Sequence, residues 1–482
     1  MDNYSSSLMA EKANRLIALS VFLTTLGFML ATIEAYAISA PFFDEWEAEA
    51  AYLYRLFETG NLNFLSLFEA HNGHRIPITR AISVGLYILN DGWDPVLQMI
   101  VSAVLHATVA FVLATSSLRY FSSREKYAAL AAVLILYGIP FSWLSITVAF
   151  QTQFYSMMMF SVLSISAFTS AKTLRASIFA LLATLSMTSG ALVFASFVAI
   201  KLLESWRLRE FDRRTVCHLV AWNCVFWAFY MLIPSEPASE SLKAQSIISF
   251  LISMAATVSW PFRLGLGVGL ILYLPVILCI TMVVISRCKL SVELLGFGIF
   301  VLLQIVAMSF FRGADGVPPA NRYWEILIFG VWVNTSCLLF IANLNRRTVT
   351  NCLAILWIVV VASGLFSLAH TALTQGLPDR AITGETSIEL IREYLETGNQ
   401  EVFQNRSSFE ISHPDAAALM EILSDPIVLD ILPSQLNGSS SDRLLLVKEM
   451  ILSLGWVFVA LGFILSIIVI KKERLMLRKE SI

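Results

Sequence analysis

Leu16–Ala40 reads LIALSVFLTTLGFMLATIEAYAISA, and Pro41-Phe42-Phe43-Asp44-Glu45-Trp46-Glu47 follows at once. Glu34 is the only charged side chain of that run. About 20 apolar residues of helix cross the roughly 30 Å hydrocarbon core of a bilayer, so the run is long enough to span. An acidic, aromatic cluster then emerges where the chain leaves the apolar phase. Ala35-Tyr36-Ala37 resembles a signal cleavage site. The run is longer than a usual signal core and more apolar runs follow, so it reads as a retained first span.

Composition agrees. Of 482 residues, 57% are hydrophobic and 14% charged, against about 25% charged in a soluble domain. The formal net charge of -2 and the absence of a basic domain exclude a nucleic-acid partner. Further apolar runs fall near 94–118, 127–148, 154–171, 176–188, 190–204, 215–233, 264–286, 290–311, 324–343, 351–373 and 446–470. Positive residues cluster between them: Lys12 and Arg15; Arg119, Arg124 and Lys126; Lys172 and Arg175; Arg207, Arg209, Arg213 and Arg214; Arg287 and Lys289; Arg346 and Arg347; then Lys471, Lys472, Arg474, Arg478 and Lys479. If twelve runs alternate across the membrane, all these clusters share one side, which puts both termini in the cytoplasm. The expected fold is an all-α polytopic membrane protein of about twelve transmembrane helices.

Runs 176–188 and 190–204 are short for spans and are separated by Thr188-Ser189-Gly190. They read as a hairpin reversing inside the membrane, with its freed backbone facing protein or water. The segment 245–262, ending at Trp260 and Arg263, reads as an interfacial helix, because a span there breaks the charge pattern. Cys217, Cys224, Cys279, Cys288, Cys337 and Cys352 all lie in or beside apolar runs, as membrane thiols and not a disulfide framework. No internal repeat stands out.

On the outer side this leaves four loops: 41–93, 149–153, 312–323 and 374–445. The division is a transmembrane domain over 1–373 with its first outer loop, a cap segment over 374–445, and a last helix with a basic tail over 446–482. The cap holds Pro378, Pro414, Pro426, Pro433 and the Ser-rich stretch Asn437 to Ser441, with helical periodicity near 386–397 and 415–431.

The first outer loop supplies an acid. Asp44 with Glu47 fits a capping box, for a helix running to Thr59 and stopping at Gly60. Asp44 also suits a general base, since burial beside Phe42, Phe43 and Trp46 is expected to raise its basicity. Further on, His71-Asn72-Gly73-His74-Arg75 and Arg80 read as a polar turn, as an anion and substrate contact, or as a pair of histidines that a helix would place on one face to bind a divalent metal. Gln151 and Gln153, flanked by Phe150 and Phe154, suit a hydroxyl-rich ligand or interfacial anchoring. Arg312 and Arg322 stand at the outer ends of successive spans, against the rule that places positive charge inside. Snorkelling accounts for such residues; so does recognition of a lipid-linked phosphate.

The ordered set Asp44-Glu45, His71-Asn-x-His-Arg75, Gln151-x-Gln153-Phe154 and Arg312-Gly…Asn321-Arg322-Tyr323 resembles a group of bacterial membrane proteins with the topology of GT-C-type glycosyltransferases. It is more distantly similar to protein O-mannosyltransferases and the aminoarabinose transferases of lipid A modification. The resemblance spans about 10–375 and has no counterpart from 376 onward. It implies a GT-C-like fold with interfacial helices in the first outer loop, in a bacterial inner membrane with the site facing outward. It further implies inverting transfer of a sugar from a polyprenyl-phosphate donor to a glycan, lipid or protein acceptor. Asp44, with Glu45, would be catalytic. Arg312, Arg322, Tyr323, Arg75 and His74 would hold the donor phosphate, and His71, Trp46, Gln151, Gln153 and Arg80 the substrate. No cofactor is assigned. The chain lacks the second acidic Asp-x-Asp motif of metal-dependent relatives, so no metal ligand is assigned either.

Two other functions use a similar inventory. An O-antigen-type polymerase or ligase also uses outer arginines but needs no acidic base in the first loop. A transporter or flippase of a lipid-linked glycan is expected to carry midplane charges and inverted repeats; this sequence has few of the former and none evident of the latter.

Overall fold

The structure is a computed structural model that describes residues 2–121, 123–233, 240–262, 266–286, 291–314, 320–344, 348–438 and 442–480. Arg263, Arg287, Lys289, Asp315, Pro318, Pro319, Arg346, Arg347, Cys288 and the Ser439–Ser441 stretch lie outside the described residues. The chain is almost all helix. Its principal helices are α1 (Asp2–Tyr36), α2 (Pro77–Asn90), α3 (Pro95–Tyr120), α4 (Ser123–Gly138), α5 (Thr152–Thr169), α6 (Thr173–Ser186), α7 (Leu192–Leu208), α8 (Arg213–Met231), α9 (Ile247–Val258), α10 (Leu266–Ser286), α11 (Val292–Phe311), α12 (Trp324–Leu344), α13 (Thr348–Thr371), α14 (Leu377–Thr397), α15 (Leu445–Ser453) and α16 (Gly455–Glu480).

Among the described residues, seven helical segments are long and apolar enough to cross a bilayer. They are Glu11–Tyr36, Pro95–Tyr120, Gly267–Ile285, Val292–Phe311, Asn321–Leu344, Thr348–Thr397 and Leu445–Glu473. The protein is therefore a multi-pass helical membrane protein. Each of the twelve apolar runs read from the sequence overlaps a helix, but in the run 127–148 the long helix α4 ends at Gly138. Those of α4 to α8 fall short of the length or apolarity of the seven. Helix α9 has 12 residues, a length of about 18 Å at 1.5 Å per residue, and cannot span alone.

Helix α1 is built into the bundle. It packs along α16, where Gly27 and Gly455 let the backbones meet: a Cβ on Gly27 would lie 2.5 Å from the Gly455 carbonyl oxygen. Further along the same pair of helices, Ser20 and Ser466 share a hydrogen bond of 2.7 Å. Small residues at such a crossing drive helix association where lipid gives no hydrophobic push. The main core lies between α3, α5, α11 and α12, with Phe297, Phe300, Phe329 and Trp332 fully buried. The Cys residues described are all free.

A second, smaller core lies outside the bundle. Asp44 opens a π-helix, Glu45–Tyr54, that runs into the α-helical turn Arg55–Glu58. Trp46, Leu53 and Tyr54 from it pack with Trp93 and with Leu390, Ile391, Phe403, Leu419, Val428 and Ile431 of the cap. Burying each such aromatic or aliphatic side chain stabilises by roughly 1.5–3 kcal/mol. A π-helical turn at Ala372–Gly376 joins α13 to α14, so one continuous rod, Thr348–Thr397, rises from a span into the cap. Polar ties add to this: Asn90 Nδ2 donates to Asp442 at 3.1 Å, Arg443 pairs with Asp91 at 2.8 Å, and Lys448 pairs with Asp94.

The expected capping box is absent. Asp44 occupies the N-cap position in an αR conformation with no side-chain cap bond, and Glu47 instead reaches the cap segment. The helix does stop at Thr59, and Gly60 follows in the left-handed region.

Candidate functional site

Asp44 leaves α1 through a strained turn. Phe43 before it has φ +50°, a region that costs a bulky side chain on the order of 1–3 kcal/mol. Phe43 is held there by its N–H, which donates to the Ser412 carbonyl at 2.8 Å.

Opposite Asp44 sits a hairpin, not a helix. Strands β1 (Ala70–His71) and β2 (His74–Arg75) pair antiparallel, with His71 opposite His74. Asn72 and Gly73 both have positive φ, 47° and 78°, as a two-residue type I′ turn needs. The histidines share a face because they pair across strands, not because they lie three apart on a helix. Asn72 Nδ2 donates to Asp44 Oδ1 at 3.0 Å, and His71 Nε2 lies 3.6 Å from the same oxygen.

Two more motifs close around this pair. Helix α5 begins with a 3-10 turn, Ala149–Gln151, that puts Gln151 and Gln153 on the wall. Another 3-10 turn, Asn321–Tyr323, starts α12 and presents Arg322 and Tyr323. It is fixed by Asn321, which donates to the Phe141 carbonyl at 3.1 Å and accepts from Leu144 N–H at 2.9 Å. Arg312 caps the end of α11. Asp44, His71, His74, Gln151, Gln153, Arg312, Arg322 and Tyr323 thus line one pocket of about 740 Å³, with Phe43, Asn72, Phe150, Phe154 and Leu242.

This polar pocket adjoins an apolar cavity of about 1040 Å³. Asn72, His74, Arg312 and Tyr323 line both. The apolar walls come from α7, α8 and α11: Leu192, Phe226, Tyr230, Ala307, Met308 and Phe311. The reversal at Thr188–Ala191 forms part of the wall. Its backbone is satisfied by protein: Gln304 Nε2 donates to the Ser189 carbonyl at 3.0 Å. Thr188 Oγ1 is 3.2 Å from His74 Nδ1.

Electrostatics separate the roles. Burial pushes the Asp44 carboxyl up, but the hydrogen bond and charge of His71, then Arg322 and Arg312, outweigh it, and its pKa is lowered. This corrects the expectation that desolvation makes Asp44 more basic. His74 falls to about 4, first through burial, then through Arg312, His71 and Arg322. It is neutral near pH 7, so it offers a hydrogen bond but no charge to an anion. Among the described residues neither Arg312 nor Arg322 forms a salt bridge. Among the described residues the pocket holds two guanidiniums and one carboxylate.

Four residues expected at the site do not reach the pocket wall. Glu45 is fully buried behind it, accepting from Phe42 N–H at 2.9 Å and Phe150 N–H at 3.1 Å. Burial and then Glu49 push its carboxyl up to about 8. Trp46 is fully buried in the second core, so it cannot stack on a ligand. Arg75 donates to the Phe68 carbonyl at 2.7 Å. Arg80 is spent on the carbonyls of Ser66, Leu67 and Glu69 and stacks over Tyr52. Both guanidiniums brace the loop, and neither lines the pocket.

Sequence reasoning missed Glu49, Thr188 as a contact, Gln304 and Lys243. Glu49 is buried in the π-helix, hydrogen-bonded by Ser83 at 2.8 Å, and pushed up to about 7 by burial. Gln304 carried a readable signal, a polar side chain within the apolar run 290–311. Lys243 stands at the cavity rim beside Phe311 and carried none.

Among the described residues no group of three His, Cys, Asp or Glu side chains is placed to hold a metal ion. No family model matches the chain, and neither a curated protein nor a solved structure matches it.

Proposed function

We propose that the protein is a membrane glycosyltransferase that moves a sugar from a polyprenyl-phosphate donor to an acceptor hydroxyl with inversion. The observation that carries this reading is that the two cavities adjoin, with Asn72, His74, Arg312 and Tyr323 lining both. A carboxylate and two arginines without salt-bridge partners among the described residues face one polar pocket, and that pocket adjoins an apolar cavity between α7, α8 and α11. A ligand matching it has a phosphate, a hydroxyl-rich group on one side and a hydrocarbon chain on the other.

In this reading Arg312 and Arg322 bind the donor phosphate, and the prenyl chain lies in the apolar cavity. Gln151, Gln153 and His71 orient the hydroxyl-bearing groups. Asp44 takes the proton of the acceptor hydroxyl as its oxygen attacks the anomeric carbon. The bond from that carbon to the phosphate oxygen breaks, and its electron pair stays on the phosphate beside the arginines. The products are the glycosylated acceptor and polyprenyl phosphate, with the proton on Asp44. Charge stabilisation of this kind contributes about 10²–10³ in rate per donor group.

We place this chemistry in a GT-C-like frame of about twelve membrane helices, the seven evident ones plus α4 to α8, with α6 and α7 as the hairpin that reverses inside the membrane. Both termini lie in the cytoplasm of a bacterial inner membrane and the pocket faces outward. The distribution of Lys and Arg supports the orientation. A pocket carboxylate favours an enzyme over a transporter or an O-antigen-type ligase.

The test is sugar release or transfer by the purified protein from a panel of polyprenyl-phosphate monosaccharides, wild type beside Asp44→Asn. Transfer by the wild type, lost in a folded Asp44→Asn, supports the reading. Equal transfer by both sinks Asp44 as base. No turnover with any donor sinks the transferase reading and turns attention to pyrophosphate-linked oligosaccharides and vesicle transport.

A further inference from the structure

We infer that the cap segment, from α14 to Asn437, acts by positioning Asp44 and does not itself hold the ligand. The inference rests on the transferase reading for its catalytic consequence, but its structural half stands alone.

Three contacts run from the cap to the two residues preceding Asp44. The Ser412 carbonyl accepts from Phe43 N–H at 2.8 Å. The Phe409 ring packs edge-on against Phe42 and Phe43, with centroids 5.3 and 5.6 Å away. The Arg380 guanidinium lies 4.2 Å from the centroid of Phe42, and this residue is 1% exposed. Phe42 and Phe43 are themselves stacked at 4.1 Å. A fourth contact grips the residue three beyond Asp44: His413 Nε2 is 3.5 Å from Glu47 Oε1.

Phe43 needs this grip. A phenylalanine at φ +50° persists only where its surroundings over-determine it. Released, it returns to φ below zero and swings the next side chain, Asp44, away from Asn72 and His71. Buried Arg380 has Nε and one Nη without a hydrogen-bond partner, so its place is set by the aromatic face and by the charge of Glu45. Meanwhile, among the described residues neither cavity has a lining residue beyond Ile326. The cap touches the back of the Asp44 turn and leaves the ligand space to other elements.

The experiment compares the full-length protein with Phe409→Ala and Phe409→Tyr. Two readouts are taken: hydrogen exchange of the peptide covering 41–54, and kcat and KM for donor and acceptor. In Phe409→Ala, exchange at 41–54 rises while α3 and α11 stay protected. Its kcat falls by about 10²-fold, the scale set by a misplacement of about 1 Å, with both KM values within about twofold. Phe409→Tyr keeps the ring and restores both readouts. Unchanged exchange in Phe409→Ala overturns the clamp. A raised acceptor KM with unchanged kcat overturns it too, by making the cap a binding surface. If the wild type transfers no sugar, the transferase reading has failed, and the exchange comparison alone decides the clamp.

Discussion

Asn72 and Asp44, 28 positions apart, share a 3.0 Å hydrogen bond in which the amide donates and the carboxylate accepts. A type I′ turn residue usually points its side chain to solvent or to its own backbone. Here the turn delivers an amide to the one carboxylate of the pocket. Donation favours the ionised form, so Asp44 waits as a carboxylate with a fixed orientation. Asp44→Asn should cut transfer by about 10²–10⁴, the range of a lost general base, with donor affinity retained. Asn72→Ala should keep Asp44 ionisable but less well aimed, and lose less. The check is single-turnover transfer beside donor binding for both variants. An Asn72→Ala loss as large as that of Asp44→Asn would make the amide, not the carboxylate, the essential group.

The pH profile follows from what lowers the Asp44 pKa. Burial raises it, and His71, Arg322 and Arg312 more than reverse that. A bound phosphate shares the arginines' charge and weakens their pull on Asp44. Loss of nearby positive charge disfavours the carboxylate, so its pKa climbs when donor binds. The acid limb of kcat/KM, which reports the free protein, should lie below the ordinary carboxylate range. The acid limb of kcat, which reports the complex, should lie at higher pH than that of kcat/KM. Donor binding thereby makes Asp44 a stronger base. Coincident limbs would mean that the phosphate does not sit against these arginines.

The arginines can be tested without turnover. Arg312 contributes, after burial, to holding His74 at about 4, and Arg322 contributes less. Arg312→Ala should move the His74 titration up toward the ordinary 6.5, read from its imidazole resonances. The same variant should lower kcat/KM for the donor by about 10²–10³. Arg312→Lys should recover part of this, since it keeps the charge and loses the planar fork. A His74 titration that stays put would separate Arg312 from this pocket in solution.

Much of this was legible in the sequence. Apolar runs of about twenty residues announce helices, because an unpaired backbone is too costly in lipid. Polar side chains at their outer ends announced the site, and eight of them do meet in one pocket. What the sequence hid is which way each side chain turns. Trp46 and Arg80 look like ligand contacts on paper, yet one fills a core and the other saturates carbonyls. The π winding of Glu45–Tyr54 has no periodic signature, and Glu45 and Glu49 are both buried within it. The cap's part was unreadable for a related reason. Arg380 and Phe409 lie more than 300 positions from Phe42, and nothing local marks their meeting.

Glu45 and Glu49 make stability depend on pH. Burial, then Glu49, pushes Glu45 up to about 8 from the 4.5 of an open carboxyl. Its pKa is raised on folding, so the stabilisation is fully present below pH 4.5, where both states hold the proton. Above 4.5 the unfolded chain releases its proton and the folded one does not, so stability declines with rising pH and levels off beyond about 8. Glu45→Gln carries no proton to lose. Its one carbonyl oxygen replaces only one of the two contacts with Phe42 and Phe150, a cost of about 1 kcal/mol. The variant should therefore melt lower than wild type at acid pH, with the two curves converging or crossing as pH rises through this window. Melting of detergent-purified protein, followed as the difference between the two, checks this. A constant difference across the window would mean that Glu45 ionises in the folded protein as it does in water, and that Arg380 offsets its burial.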